Sequence, residues 1–408
     1  MPVCDILFVH QNMPGQFRFL AATLAQSPQF AVSFLTRREG IDIKGIRTIR
    51  YPSPKDAQET PNPLLAPVER VLRFGQAVLN AALALRKDGY NPRLIVAHPG
   101  WGEALFLRDV WPKARIITYG EYYYRADGGD IGFDPIFPVT PNGLARSRMM
   151  NTHLLLAHEQ ADAVLSPTQW QKNRHPAFIQ NRTEVIFDGI DTTRVCPDPA
   201  ARFPLPDGRS LSRKDEVITY VARNLEPHRG FHVLMQALPA LLAKRPLAHV
   251  VIVGGDELSY SPAAPGHPNW KAKMLAEVDL GDAAKRVHFM GKIAYADYLA
   301  LLRVSAVHLY LTYPFVLSWS CMEAMAAGCL MVASDTGPVQ EVISHGENGL
   351  LFPFFDGQAM VETICAALDN GGIGQSLRQA ARETVVARYD LRQCLAAQVQ
   401  MMARVLQS

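Results

Sequence analysis

Short, uniformly apolar runs alternate along the chain with longer stretches whose apolar residues recur every three or four positions. DILFVH (5–10), AVSFLT (31–36), PRLIVAH (92–98), ARIITY (114–119) and ADAVLSP (161–167) are of the first kind. Runs apolar at every position, rather than at every second one, suit a parallel sheet covered on both faces. FRFLAATLAQ (17–26) and the long amphipathic stretch 62–90 read as the covering helices. Around 203–215 the texture turns polar, FPLPDGRSLSRKDE, with two prolines and a glycine, and this predicts a linker or domain edge. The alternation then restarts: VITYVAR, AHVVIVGG, RVHFMG, AVHLYLT and LMVASD as strands, with FHVLMQALPALLAKR, YADYLALLRVS and CMEAMAAG as helices. The pattern predicts two doubly wound, Rossmann-like α/β domains, 1–205 and 206–385. A terminal helix (386–408) comes last, with Leu391, Leu395, Val399, Met402 and Leu406 on one stripe, expected to pack back on the first domain.

The length of 408 residues agrees with two cores. Hydrophobic residues at 48% and charged residues at 19% exclude a disordered chain, and a net charge of +3 is too mild to imply nucleic acid. The six cysteines include no C-x-x-C pair and read as reduced thiols. The opening MPVCDILFVHQ lacks the basic and long apolar regions of a secretory signal. No run approaches the roughly 18 apolar residues of a spanning helix. The expected location is cytoplasmic, so the sequon Asn181-Arg182-Thr183 carries no consequence.

The chain has no G-x-G-x-x-G after a strand, no G-x-x-x-x-G-K-[ST], no G-x-S-x-G and no helical pair of histidines at metal-ligand spacing. Two constellations remain. In VARNLEPHRGFHVL, Arg223 and Arg229 bracket a loop between a strand end and a helix start. Two guanidiniums beside a helix N-terminus suit a diphosphate. Two surface arginines near a turn are the plainer reading; the position at a strand's carboxyl end favours the ligand. In YPFVLSWSCMEAMAAG, the amides of Leu317, Ser318 and Trp319 are placed to face a phosphate, and Glu323 lies on the first turn of a helix. There it can hold vicinal hydroxyls such as those of a ribose, or simply meet the helix dipole.

These motifs resemble those of the retaining, nucleotide-sugar-dependent glycosyltransferases called family four, which have the two-domain GT-B fold. The match is strongest over 217–355. The resemblance implies that Arg223 and Arg229 hold the donor diphosphate, with one extra loop residue between them than is usual. It implies that Glu323 is the second glutamate of the family's Glu-x7-Glu signature and binds the ribose. The first glutamate, which contacts hydroxyls of the donor sugar, is replaced by Phe315. SDTGPVQEVISHGENGLLFP supplies Glu341, and RVHFMGKI, with Phe289, resembles the segment that meets the base. In the first half, HQNMPGQF places Gly15 in the family's glycine loop, IVAHPGWGE supplies His98 as a contact to the donor sugar, and Asp188 stands where the family has asparagine. His98 has a purely structural alternative. GEYYYRADGGDIGFDP (120–135) has no family counterpart: Glu121, Tyr123 and Asp130 are acceptor-pocket candidates or parts of a structured loop.

The resemblance implies a hexosyltransferase-type enzyme acting by front-face attack with retention, with no metal site and no cofactor beyond the nucleotide-diphosphate sugar that serves as co-substrate. Arg223, Arg229 and His98 are its expected catalytic groups. The acceptor class is a glycan, a glycolipid or a protein. The basic run 36–50, with Lys55, is a candidate contact to anionic lipid at the inner face of the membrane; a solvated surface is the alternative. Phe315 keeps open a catalytically silent nucleotide-sugar binder, and a GT-B epimerase is a third possibility.

Overall fold

The computed structural model describes residues 4–54 and 62–408, so Lys55 lies outside the described residues. The chain forms two compact units, Met1–Gly189 with Arg392–Ser408, and Ile190–Leu391.

In the first unit, β1 (Cys4–Val9), β2 (Phe30–Thr36), β3 (Ile46–Arg50), β4 (Leu94–Ala97), β5 (Arg115–Tyr119), β6 (Ala163–Ser166) and β7 (Thr183–Val185) form one sheet, ordered β3-β2-β1-β4-β5-β6-β7. Every pairing in it is parallel. Its two faces explain the uniformly apolar runs. Ile6 and Phe8 of β1 and Leu94 and Val96 of β4 enter one core, and Leu7, Val9, Ile95 and Ala97 enter the other. Successive side chains of a strand point to opposite faces, so a doubly covered strand has no polar side to show. The helix Leu391–Gln407 gives Met401, Met402 and Val405 to the first core, and the helix Ala66–Lys87 gives Val78, Ala82 and Leu85 to the second.

The second unit begins with a two-stranded hairpin, β8 (Phe203–Pro204) and β9 (Ser210–Leu211). Its sheet contains β10 (Val217–Asn224), β11 (His249–Gly255), β12 (Val287–Gly291), β13 (Val307–Tyr310), β14 (Met331–Ser334) and β15 (Leu350–Phe352). Their order is β12-β11-β10-β13-β14-β15, again all parallel. Both sheets therefore reverse their winding beside the first strand of the sheet, between β1 and β4 and between β10 and β13. Those are the positions where open parallel sheets bind ligands, at the strands' carboxyl ends.

Three sequence expectations shift. The polar stretch 203–215 is not a linker: Phe203, Leu205 and Leu211 are buried with Val217, Val251 and Leu301 in one cluster of the second unit. The division falls at Gly189/Ile190, because Ile190 bridges Asp390 and the Thr192 hydroxyl donates to the Asp390 carboxylate. The terminal helix is buried along Cys394, Gln398, Met401, Met402 and Val405, with Leu395, Val399 and Leu406 half-buried beside them. The stripe is thus rotated by one residue from the expected one. In the basic run 36–50, Arg37 donates to the Gln11 side chain and Arg38 to the Met13 carbonyl, and Ile46–Arg50 is β3.

Burial lowers the pKa of several histidines: His10 and His308 to about 3, His153 and His175 to about 4, and His158 well below the ordinary value. These rings are neutral when folded, whereas the unfolded chain binds their protons below a pKa of about 6.5. Their contribution is complete above that pH and is lost as pH falls towards about 4, at up to about 1.4 kcal/mol per pH unit for each ring. Urea unfolding measured from pH 7.5 to 4.5 should show stability falling below pH 6.5. A flat profile between pH 7 and 5 would show that the rings are not held neutral.

Candidate functional site

In the second unit the site is built around Arg229. Against β11, β10 carries a bulge between Val221 and Asn224. One extra residue turns the next side chains of the strand to the opposite face. Arg223 is exposed on the bulge and Asn224 is buried. The chain then makes a single turn, Pro227–Arg229, and Gly230 starts the helix Phe231–Lys244. Gly230 has φ +71°, and a Cβ there would lie 2.4 Å from Leu311, so only glycine allows this approach. Arg229 is 9% exposed. Its Nη1 donates to the Thr312 hydroxyl at 2.7 Å, the Val316 carbonyl at 3.1 Å and, more weakly, the Tyr310 hydroxyl at 3.4 Å. The Tyr220 hydroxyl donates to the Arg229 carbonyl at 2.7 Å. The guanidinium is therefore locked at the β10/β13 switch point, next to a helix N-terminus.

Phe315 is buried over this cation. Its ring lies 4.5 Å edge-on from His228 and 4.9 Å from Tyr260, and the Arg229 guanidinium carbon is 5.7 Å from both the Phe315 and Tyr260 ring centres. Tyr260 is held by Glu226, whose Oε2 accepts from the backbone N–H groups of Ser259, Tyr260 and Ser261.

Glu323 lies on the helix Trp319–Ala326 and accepts from the Tyr295 hydroxyl at 2.7 Å and the Tyr298 hydroxyl at 2.9 Å, one on each oxygen. Burial, then the Glu323 carboxylate, raises the Tyr298 pKa well above its ordinary value, which keeps that proton on the donor. Ser318 caps the helix by accepting from the Ser320 N–H. The Ser318 amide itself donates to the Tyr310 hydroxyl at 2.9 Å, so that donor is already engaged. Leu317 is buried and Trp319 is 41% exposed. Phe289, on β12, packs edge-on against Phe231 with the Lys271 ammonium 5.1 Å from its ring. Glu341 is half-buried after the turn Gly337–Gln340.

In the first unit, His98 comes directly after β4 and is 1% exposed. The Gly100 N–H donates to its Nδ1 at 3.1 Å, so the neutral ring carries its proton on Nε2. That atom lies 3.3 Å from Glu121 Oε2, a polar approach that falls short of a well-aligned hydrogen bond. Glu121 also accepts at Oε1 from Gln16 Nε2 at 2.6 Å, and Gln16 Oε1 pairs with His10 Nε2 at 2.8 Å. The His10 Nδ1 accepts from the Asn12 N–H. Burial opposes ionisation of Glu121, but His98, His10 and Gln16 together hold its carboxyl below the ordinary value. Gly15 has φ +51°, and a Cβ there would lie 2.4 Å from His10 Nε2. Asp130 accepts from the Tyr122 hydroxyl, and the Tyr124 backbone pairs on both sides with the Asn151 amide. These contacts, with Gln171 donating to the Glu121 carbonyl and Arg174 to the Asp127 carbonyl, make 120–135 a structured loop anchored from outside itself, with Tyr123 half-buried on it.

The sequence reading missed His10, Gln16, Glu226, Tyr295 and Tyr298. His10 ends its strand as His98 does and was open to the same argument. Tyr295 and Tyr298, three apart on one helix, share a face, but nothing local points that face at Glu323. Among the described residues no three His, Cys, Asp or Glu side chains are grouped to hold a metal ion.

Similarity to known proteins divides in the same way. The family description "Glycosyl transferase family 4 group" matches residues 28–195, and "Glycosyl transferases group 1" matches 207–384. The phosphatidyl-myo-inositol mannosyltransferase of Mycolicibacterium smegmatis is 31% identical over 211 residues, which are 50% of this chain and 47% of that one. The chain thus spans about half the length of that relative. The GDP-mannose-dependent alpha-(1-6)-phosphatidylinositol monomannoside mannosyltransferase of Mycobacterium tuberculosis is 24% identical over 84% of this chain and 85% of its own. Among solved structures, the sucrose-phosphate synthase of Thermosynechococcus elongatus superposes with a TM-score of 0.71 at 21% identity, covering 98% of this chain and 99% of that one, a likeness that speaks for the GT-B fold. With one family description on each Rossmann-like unit, this chain belongs to the group 1, family-four glycosyltransferases.

Proposed function

We propose that this chain is a retaining glycosyltransferase that moves a hexose from a nucleotide-diphosphate sugar to a hydroxyl of a glycan or lipid-linked acceptor. The observation that carries this reading is the buried Arg229 guanidinium, fixed by three oxygens at the β10/β13 switch point beside a helix N-terminus. A preorganised cation there neutralises charge as it develops on a leaving diphosphate, without reorganising during the reaction. Glu323, aligned by two tyrosine hydroxyls, is the carboxylate that would accept from a ribose diol. In this reading the acceptor hydroxyl attacks the anomeric carbon from the face that the diphosphate leaves. The C–O bond to the diphosphate breaks, and the hydroxyl proton passes to a donor phosphate oxygen. No protein nucleophile is involved, so Phe315 in place of a glutamate alters contacts to the sugar and leaves the bond-making groups intact. The two relatives act, by their names, on phosphatidylinositol-type acceptors with a mannosyl donor; a guanosine- or uridine-diphosphate hexose and a polyol-bearing lipid are the substrates to try first.

A silent nucleotide-sugar binder is the second reading, favoured by the burial of Phe315 against His228 and Tyr260. Release of nucleoside diphosphate from a panel of nucleotide sugars separates the two.

Two variants test the site. Glu323→Gln should raise the Kd for UDP or GDP about tenfold or more, the effect of losing hydrogen bonds to a charged acceptor. The same variant should leave the 2′,3′-dideoxy nucleotide unaffected, and equal losses for both would remove Glu323 from the ribose. Arg223, being exposed, gives a clean second test by calorimetry. Arg223→Ala should weaken nucleoside diphosphate binding about tenfold with Tm unchanged. Unaltered affinity would mean that the bulge has turned Arg223 away from the diphosphate.

A further inference from the structure

The second unit carries a pair of imidazoles that the glycosyl-transfer reading does not use. His249 is the first residue of β11, and His288 is the second residue of β12, the outermost strand of the sheet. The two strands run parallel, with Val251 opposite His288. Side chains two apart on a strand share a face, so His249 stands on the face of Val251 and His288 stands beside it on the same face. The hairpin β8/β9 covers that face, since Val251 packs with Phe203 and Leu211. The pair therefore lies at the amino ends of the strands, at the opposite edge of the sheet from Arg229.

The rings are inclined by 26°, and His249 Nδ1 is 3.1 Å from His288 Nε2. Nitrogen faces nitrogen, so one ring donates an N–H and the other accepts. Both rings are half-buried. Burial is the main cause that lowers both pKa values. Arg209 and Arg286 lower that of His249 further, and His249 and Arg209 lower that of His288; Asp207 opposes this at both rings and Asp215 at His249. The neutral ring is the form in which histidine binds a metal. Arg209 is paired with Asp207 at 2.7 Å, and Arg286 donates to the carbonyls of Leu242, Arg245 and Ala248. Both guanidinium charges are thus engaged, which limits their repulsion of a cation.

Imidazole nitrogens bind Zn²⁺ at about 2.0–2.1 Å, so two of them on one ion are about 2.9 Å apart at a right angle and about 3.3 Å apart at the tetrahedral angle. The observed 3.1 Å falls between these limits. Moving the donating ring's proton to its other nitrogen frees both lone pairs, with no net loss of a proton.

We propose that His249 and His288 form a two-histidine site for a divalent transition-metal ion of the Zn²⁺ or Ni²⁺ type, with water in the remaining positions. No third His, Cys, Asp or Glu side chain is grouped with them among the described residues, so the ion is an exchangeable one. Imidazole selects this class over Mg²⁺ and Ca²⁺, which take oxygen ligands. An ion held by both rings ties the outermost strand to its neighbour and has no part in sugar transfer, so the site stands independently of the functional reading.

The test uses the full chain, with Zn²⁺ and Ni²⁺ as probes in calorimetry and thermal unfolding. The wild type should bind one ion in a step that His249→Gln and His288→Gln each remove. The other histidines and the thiols are common to all three proteins and give a shared background. The ion should raise the wild-type Tm, because it binds the folded chain, and leave the Tm of both variants where it was. X-ray absorption of the Zn²⁺-loaded wild type needs no variant; it should show two imidazole nitrogens at about 2.0 Å, with oxygen completing the shell. A wild type without the binding step, variants that retain it, a zinc shell lacking two imidazoles, or equal stabilisation by Mg²⁺ would each overturn the site and leave the pair a hydrogen-bonded tie between strands.

Discussion

The buried guanidinium of Arg229 sets the terms for the second unit. A cation at 9% exposure is costly unless its donors are matched. Here Thr312, Val316 and Tyr310 supply oxygens to Nη1, and Tyr260 and Phe315 supply ring faces. Each of those partners is itself fixed. Thr312 lies just beyond β13, and its N–H donates to the Ser334 hydroxyl at the end of β14. Tyr260 belongs to a loop clamped by Glu226. The arginine thus couples two strand ends and two loops, and any anion it meets encounters a site that is already assembled.

The same physical device recurs in the first unit with different chemistry. A basic ring, His98, sits at the switch point, its tautomer set by a backbone N–H and its direction by a carboxylate. In both units a parallel sheet brings the carboxyl ends of non-sequential strands together, and the side chains there are immobilised by neighbours before any ligand arrives. Preorganisation of this kind is what electrostatic catalysis requires. Phe315 fits the scheme: losing a carboxylate at that point gives an aromatic shelf over the cation, not a hole.

Much of the architecture was legible in the sequence, because doubly covered strands must be apolar at every position. The sheet order was not, since periodicity says nothing about neighbours. The stretch 203–215 misled because its polar residues outnumber Phe203, Leu205 and Leu211, and only packing shows that those three carry the hairpin into the core. At the site, Arg229, Glu323 and His98 could be found from strand-end placement and family motifs. The bulge that exposes Arg223 could be suspected from one extra residue but not located, and the two tyrosines on Glu323 come from a helix whose orientation depends on the whole second core. His10 and Gln16 needed the pairing of β1 with β4 to be seen beside His98.

The central claim is that a chain with Phe315 still transfers sugar with retention. The direct measurement is proton NMR of the product formed from α-configured GDP- and UDP-hexoses with polyol acceptors, reading the anomeric coupling. An α-linked product, with one nucleoside diphosphate released per linkage, is the expected result. A β-linked product, or tight nucleotide-sugar binding with no transfer and no release across the panel, would contradict it.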